Sequence, residues 1–422
     1  MSSAAEFKNP ESIATQVQAA RRAARELARL SADQRNRILL TAADALAAGT
    51  ASAALLKRLK TSPAGVKDMA KQVRDVAGLE DPLGRVLATT ELDDGLLLQK
   101  ISCALGVVAV IFESRPDVVP QVGSLAIKTG NGLVLKGGAE ARQTNRVLVS
   151  IWHEALAAAS PSLRPAICAL TDRADVARIL EMDRDIDLVV PRGSTEFVNY
   201  VFEHSRIPVL GHGSGICHIY VDSAADLKMA KDVIVDAKIQ YPAACNSVEK
   251  VLVHQSVAQE FLPALVAVLQ SAGVEVRGCS RTIKLLPNSE IVPATEQDWR
   301  TEYGDLKITV KIVSDMDEAV EHINHYGSRH TESILTKDQN AADRFMDEVD
   351  AASVFHNAST RFADGFRYGL GAELGISNSK LHARGPVGLE GLLTYKYKLH
   401  GSGQTVTDYA QGKRTFKHRR RY

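Results

Sequence analysis

Apolar and polar positions change rhythm along this chain. Up to about residue 85 they follow helical spacing. Ile38, Leu39, Leu40 and Ala43 come after a Ser31–Gln34 capping-box pattern, and Ser62 before Pro63 reads as an N-cap and first helical position. Asp81-Pro82-Leu83-Gly84 closes that region. Two strands are then predicted, Leu96 to Ser102 and Gly106 to Phe112. Beyond them short apolar strands alternate with helices. The first series has strands at Leu133 to Lys136, Ala166 to Leu170, Leu188 to Pro191 and Ile207 to Leu210, with helices at Asn145 to Ala159, Asp175 to Glu181, Ser194 to His204 and Ala224 to Ala237. The second has strands at Val248 to His254, Ile308 to Val313, Ser333 to Thr336 and Ser353 to Asn357, with helices at Val257 to Ala272, Met316 to Tyr326 and Ala341 to Val349. This alternation predicts an α/β fold of two doubly wound parallel domains, with ligands expected beyond the carboxyl ends of the strands. Leu392 to Leu399 is a late strand with no home in either series. It and Leu96 to Ser102 are expected as edges that can pair between subunits.

Bulk properties narrow the function classes. Lys plus Arg is 51 and Asp plus Glu is 50, a balance that gives no case for nucleic acid or membrane partners. No apolar run approaches the ~18–20 residues of a membrane span, and the start of the chain has no signal-like pattern. Five unpaired cysteines fit a reducing compartment, so a cytoplasmic location is expected. No CxxC or metal-spaced histidine pair occurs, and no metal is assigned. The last stretch, from Lys413 to Arg421, holds six Lys or Arg and reads as a solvated, disordered end, with an anionic partner as the other reading.

Candidate chemistry centres on Cys245. Pro242-Ala243-Ala244 delivers this thiol just before the strand Val248 to His254, at the junction of the two α/β series. Small neighbours leave the sulfur open and leave backbone N–H groups free to point at an oxyanion, as a nucleophilic thiol requires. Cys103, Cys168, Cys217 and Cys279 lie in apolar or turn settings and read as structural. Three glycine turns follow strands in the first series: Lys136-Gly137-Gly138, Arg192-Gly193-Ser194-Thr195 and Gly211-His212-Gly213-Ser214-Gly215. Glycine admits a phosphate close to the backbone, and a helix N-terminus adds N–H groups and a positive dipole end. None of the three matches GxGxxG, so they suggest a dinucleotide site of another style.

Eight stretches together resemble the γ-glutamyl phosphate reductase family, a branch of the aldehyde dehydrogenase superfamily. They are GVVAVIFESRPDVVPQ from Gly106, KTGNGLVLKGGAEA from Lys128, DLVVPRGSTEFV from Asp187, IPVLGHGSGICHIYVD from Ile207, YPAACNSVEKVLVH from Tyr241, TEYGDLKITVKIV from Thr301, NASTRFADGFRYGLGAELGIS from Asn357 and KLHARGPVGLEGLLTYKY from Lys380. The resemblance implies an NADPH-binding domain over 1–238 with a β-arm at 90–105, and a catalytic domain over 239–370. It further implies a return to the cofactor domain at 371–388 and an oligomerisation strand at 389–410, followed by the basic tail at 411–422. It implies NADPH-dependent reduction of L-γ-glutamyl 5-phosphate to L-glutamate 5-semialdehyde through a Cys245 thioester, in a homo-oligomer with possible coupling to glutamate 5-kinase. The segment Ala45 to Lys60 looks shorter than the family's usual helical linker.

Residue by residue, the family pattern assigns Cys245 as nucleophile. The asparagine that donates to the oxyanion in aldehyde dehydrogenases is missing from Glu113-Ser114-Arg115-Pro116, and Ser114 and Asn246 stand as candidate donors. The glutamate that activates water in hydrolytic relatives is replaced by Gly211, which suits an enzyme that exchanges its acyl group with phosphate; His212 stays open as a substitute base. Lys136 matches a lysine near the adenosine ribose. Ala139 stands where NAD-preferring relatives have a carboxylate, and that loss favours NADPH. Gly193, Ser194, Thr195 and Gly213 are expected near the cofactor phosphates, and Glu302 near the nicotinamide ribose. Arg115 and Arg361, with Ser359 and Thr360, are the expected substrate anchors, because arginine forks suit carboxylate and phosphate. Two other readings remain open: another thioester-forming acyl reductase or aldehyde dehydrogenase, and a non-catalytic protein on this fold.

Overall fold

The computed structural model describes residues 12–49, 62–113, 117–172 and 174–421. Ser114 and Arg115, and most of the segment Ala45 to Lys60, lie outside them. The chain divides into two compact units. One comprises residues up to 193, 200–209 and from 388 onward; the other comprises 194–199 and 210–387.

The first unit opens with three helices, α1 (Ile13–Leu27), α2 (Ala32–Gly49) and α3 (Pro63–Gly78). Their starts are set by the expected caps. Ser31 and Gln34 exchange backbone and side-chain bonds at 2.8 and 3.2 Å, and Ser62 Oγ accepts from Gly65 N at 3.1 Å ahead of Pro63. Strands β1 (Val86–Asp93) and β2 (Leu96–Ala104) form a hairpin, and β3 (Val107–Phe112) starts the α/β series. There follow α4 (Val118–Lys128), β4 (Gly132–Lys136), α5 (Arg142–Ala159), β5 (Ile167–Leu170), α6 (Asp175–Leu180) and β6 (Leu188–Arg192); the next helix, α7 (Thr195–His204), is divided between the units, 195–199 falling in the second and 200–204 in the first. The sheet is parallel in the order β5-β4-β3-β6, and β3 and β4 are buried along their whole length. Each Val, Ile or Leu taken from water there contributes ~1.5–3 kcal/mol. Gly106 has φ +135°, and a Cβ on it would stand 2.1 Å from the Asp187 carboxylate, which accepts from Val107 N at 2.8 Å and pairs with Arg21.

The second unit runs β7 (Cys217–Val221), α8 (Leu227–Ile239), β8 (Val248–His254), α9 (Gln255–Ser271), β9 (Glu275–Gly278), α10 (Ser280–Leu285), β10 (Val292–Pro293) and α11 (Glu296–Trp299). It continues with β11 (Lys307–Val313), α12 (Met316–Tyr326), β12 (Thr331–Leu335), α13 (Gln339–Glu348) and β13 (Ser353–His356), then the pair β14 (Gly375–Ser377) and β15 (Gly385–Val387). Its seven strands are all parallel, in the order β10-β9-β11-β8-β7-β12-β13. Two doubly wound parallel sheets are therefore present, as the alternation predicts.

Three expectations change. The boundary expected at 238/239 lies earlier. Strand β7 pairs with both β8 and β12, so the chain from Leu210 belongs to the second unit, and 371–387 stays there rather than returning to the first. Ile207 to Leu210 is not a full strand: Pro208 has no N–H to give, and only a bridge between Val189 and Val209 forms. The basic end is ordered. After β16 (Leu393–His400) and α14 (Val406–Ala410), β17 (Arg419–Arg421) pairs with β1, and Arg414 and Lys417 reach Asp93. An open strand edge and an accepting carboxylate hold the tail in place. The two strands without a home pair with each other: β16 lies antiparallel to β2, from Leu393↔Ala104 to His400↔Leu97.

Candidate active site

Parallel strands begin on one edge of a sheet, and β8, β7 and β12 are neighbours. Cys245, the Gly211–Gly215 turn and His330 each lie within a few residues upstream of one of these strands, so the topology alone gathers them. The group therefore sits at the amino ends of the central strands, opposite to the carboxyl-end location that doubly wound sheets ordinarily favour. One ring nitrogen of His212, one of His330 and Cys245 Sγ lie within 4.8 Å of one another.

The cysteine turn is built from short bonds. Ala244 N donates to Tyr241 O at 3.2 Å and Ser247 N to Ala244 O at 2.8 Å, while Ser247 Oγ ties the turn to Ala237 O at the end of α8. Cys245 is half-buried and free, and its N–H has no hydrogen-bond partner among the described residues. Gly215 lies against it so tightly that a Cβ would meet the Cys245 carbonyl oxygen at 2.0 Å. Cys217 is fully buried and directs its S–H to that same oxygen at 3.3 Å; burial pushes its thiol well up. Burial likewise pushes Cys168 up to about 12.

The two histidines differ in their settings. His212 Nδ1 donates to Ile376 O at 2.8 Å, which leaves Nε2 as the basic nitrogen. His330 is fully buried. Its Nδ1 meets Thr331 Oγ1 at 2.9 Å, and its Nε2 has no partner among the described residues.

Glu302 is reached through a rigid support that the sequence did not reveal. Its Oε2 accepts from Gly215 N at 2.8 Å, so this carboxylate holds the turn that packs on Cys245. Beneath it, Lys250 Nζ donates to Thr301 O at 2.7 Å, and Glu249 accepts from Tyr303 N and Gly304 N, both at 3.3 Å. Burial pushes the Lys238 and Lys250 ammonium groups down and the Glu249 carboxyl up. All three stay together because each charge offsets the next, with Lys238 and Glu249 3.3 Å apart. Lys238 comes from α8, and Glu249 and Lys250 are adjacent in β8, so no periodicity singles the three out.

The other expected residues distribute as follows. Asn246 is buried and donates Nδ2 to Ala363 O at 2.8 Å, which joins the cysteine turn to the loop after β13. In that loop Arg361 is 8% exposed and donates Nε to Gln240 Oε1 at 2.9 Å. Burial and then Arg367 lower its pKa, while Asp364 and Cys245 pull the other way. Ser359 Oγ caps the same turn on Arg361 N, and the buried Thr360 Oγ1 has no partner among the described residues. Ser194 Oγ accepts from Phe197 N at 3.3 Å at the start of α7, with Thr195 exposed beside it and Gly193 immediately before it. Gly213 packs on Asn199, whose Oδ1 a Cβ would meet at 2.7 Å.

In the first unit, Lys136 ends β4, buried, with Nζ on Gly137 O at 2.7 Å; burial lowers its pKa. Beside it a small open cleft lies at the carboxyl ends of β3, β4 and β5, lined by Phe112, Gly137, Gly138, Arg142, Asn145 and Arg146 among others. A Cβ on Gly137 would meet Asn145 Nδ2 at 2.2 Å and the Phe112 ring at 3.1 Å, so a side chain there would crowd the residues lining the cleft.

Comparison with known proteins follows the same lines. The aldehyde dehydrogenase family pattern matches residues 3–280. The γ-glutamyl phosphate reductase of Pelotomaculum thermopropionicum is 55% identical over 367 residues, covering 87% of this chain and 83% of that protein. That of Cyanothece is 51% identical, covering 92% and 93%. The chain belongs to the aldehyde dehydrogenase family, in its γ-glutamyl phosphate reductase branch. The crystal structure of γ-glutamyl phosphate reductase from Thermotoga maritima superposes with a TM-score of 0.88 at 38% identity, covering 94% of this chain and all of that one. Family membership thus agrees with the fold read from the alternation of strands and helices. No helix among the described residues is long and apolar enough to cross a membrane.

Proposed function

We propose that this chain reduces L-γ-glutamyl 5-phosphate to L-glutamate 5-semialdehyde with release of phosphate, the second step of proline synthesis from glutamate. The observation that carries this reading is the half-open Cys245 thiol, flanked by two imidazoles and packed on Gly215, in a chain of this branch.

Cys245 Sγ, as thiolate, attacks the γ-carbonyl, and the carbon–oxygen bond to phosphate breaks. His212 Nε2 receives the thiol proton, since its Nδ1–H is held by Ile376. The Cys245 N–H, which has no other partner among the described residues, holds the carbonyl oxygen as it becomes negative. A reduced nicotinamide held at Glu302 would supply the hydride that takes the thioester to the aldehyde level. The thiohemiacetal on Cys245 then collapses, releasing aldehyde and thiolate. Gly211 stands where hydrolytic relatives carry a glutamate base, a loss that suits exchange of the acyl group with phosphate.

Arg361, with Ser359 and Thr360, binds the substrate's anionic groups, and Arg115 joins them. Glu302 keeps one carboxylate oxygen for the nicotinamide ribose while the other holds Gly215. Enzymes of this family use NAD or NADP, and NADPH is the form proposed here. The glycine cradle beside Lys136 suits an adenosine phosphate, and Arg142 and Arg146 at its rim suit a 2′-phosphate; Ala139 carries no carboxylate, and the nearest one, of Glu140, lies over Gly138. Ser194 and Thr195 at the start of α7, with Gly193 and Gly213, serve the pyrophosphate. The β2–β16 arm mediates assembly into a homo-oligomer, and coupling to glutamate 5-kinase, the source of the acyl phosphate, belongs to the same reading.

The test is run in reverse: oxidation of glutamate 5-semialdehyde with NADP. It is expected to require inorganic phosphate and to vanish in Cys245→Ser. Water or coenzyme A outcompeting phosphate, or a serine variant that still turns over, would overturn the proposal.

A further inference from the structure

We propose that His212, Cys245 and His330 form a three-ligand site for a soft divalent ion of the Zn²⁺ type, and that occupancy reversibly blocks the thiol. The binding part stands on geometry alone; the inhibition part rests on Cys245 being the nucleophile.

Two nitrogens and one sulfur within 4.8 Å are a borderline-soft donor set, and three protein ligands with a fourth position open is a common arrangement around zinc. Tetrahedral bonds of about 2.0–2.3 Å place ligand atoms roughly 3.3–3.8 Å apart, so closure needs a contraction of about 1 Å, within reach of one cysteine rotamer and two ring tilts. Two further observations point the same way. His212 donates Nδ1 to the Ile376 carbonyl, the outer contact that fixes a metal-binding imidazole and frees Nε2. His330 is fully buried with Nδ1 engaged by Thr331 and with Nε2 unpartnered among the described residues, a nitrogen whose desolvation an ion would offset. Binding takes the proton off Cys245 and ties up its lone pair, so no acyl transfer proceeds until the ion leaves. The ligands come from three loops distant in sequence, so spacing could not reveal them.

Cobalt titrated into the chelator-treated full chain tests the site. The expected result is a near-ultraviolet thiolate-to-cobalt charge-transfer band that zinc abolishes by competition. Cys245→Ser removes the band, and His212→Gln and His330→Gln each weaken binding on the order of 100-fold. His212 is the less buried ligand, so its variant decides the matter should His330→Gln not fold. Absence of the band in the parent chain, or a band unaltered by His212→Gln, would overturn the proposal. A chelated protein that turns over but ignores zinc refutes this site alone. One that binds cobalt through Cys245 yet never turns over refutes the functional reading alone.

Discussion

Gly215 and Cys245 touch backbone to backbone, with room for a hydrogen and nothing larger: a Cβ on Gly215 would stand 2.0 Å from the Cys245 carbonyl oxygen. Glu302 fixes the same glycine through its N–H. The position of the thiol is therefore set by a neighbouring turn as well as by its own. Gly215→Ala is expected to push the cysteine turn away, lowering kcat about 100-fold or more, as an ångström of misplacement does. The accompanying loss of stability is about 1–3 kcal/mol. Steady-state kinetics beside denaturant unfolding checks it, and an alanine variant with parental kcat would show that the turn moves freely.

Thiol selectivity follows from burial. Cys168 is pushed up to about 12, so on the order of one ten-thousandth of it is thiolate at pH 8, and burial pushes Cys217 well up too. Cys245 is half-open to solvent. Alkylation at pH 8 followed by peptide mapping is expected to mark Cys245 early and leave Cys168 and Cys217 unmodified in the native chain. Rapid modification of either buried cysteine would contradict the packing described.

Cofactor choice is expected to rest on Arg142 and Arg146, the two cations lining the cleft beside Gly137 and Gly138. A charge-assisted bond to a 2′-phosphate is worth about 1.5–3 kcal/mol. The double change to alanine should therefore raise KM for NADPH roughly 10–100-fold and leave KM for NADH within about twofold. An equal loss for both cofactors would mean that the arginines shape the cleft without reading the phosphate.

The parallel sheets were legible in the sequence because their strands are short, apolar and bounded by turns, and Val248 to His254 was placed to the residue. Legibility failed where geometry depends on partners far along the chain. Strand β7 has the same local pattern whichever sheet it joins, and only its pairing with β12, over 100 residues later, places it. The basic tail looks like any charged terminus until Asp93 and the edge of β1 are brought beside it. In the site, Cys245 was readable from its small-residue turn. His330 carried no signal of its own, since its placement comes from the adjacency of β12 to β7.

Acid sensitivity should be traceable to Asp298. Burial raises its carboxyl, but bonds from Thr295 N, Thr295 Oγ1 and Tyr303 Oη, with Arg277 at 2.8 Å, outweigh that and bring it from 3.8 to about 2. A depressed carboxylate favours the folded state above its ordinary pKa, and that contribution is lost as pH falls through the folded value. The difference corresponds to about 2 kcal/mol, present above about pH 4 and gone below about pH 2. Asp298→Asn is thus expected to be less stable by about 2 kcal/mol near neutrality, with the gap to the parent closing between pH 4 and pH 2. Tyr303 follows Glu302 directly, so the same variant should loosen the carboxylate that holds Gly215. Denaturant midpoints measured across that pH range decide it; a gap of constant size would mean that Asp298 acts through shape and not through its charge.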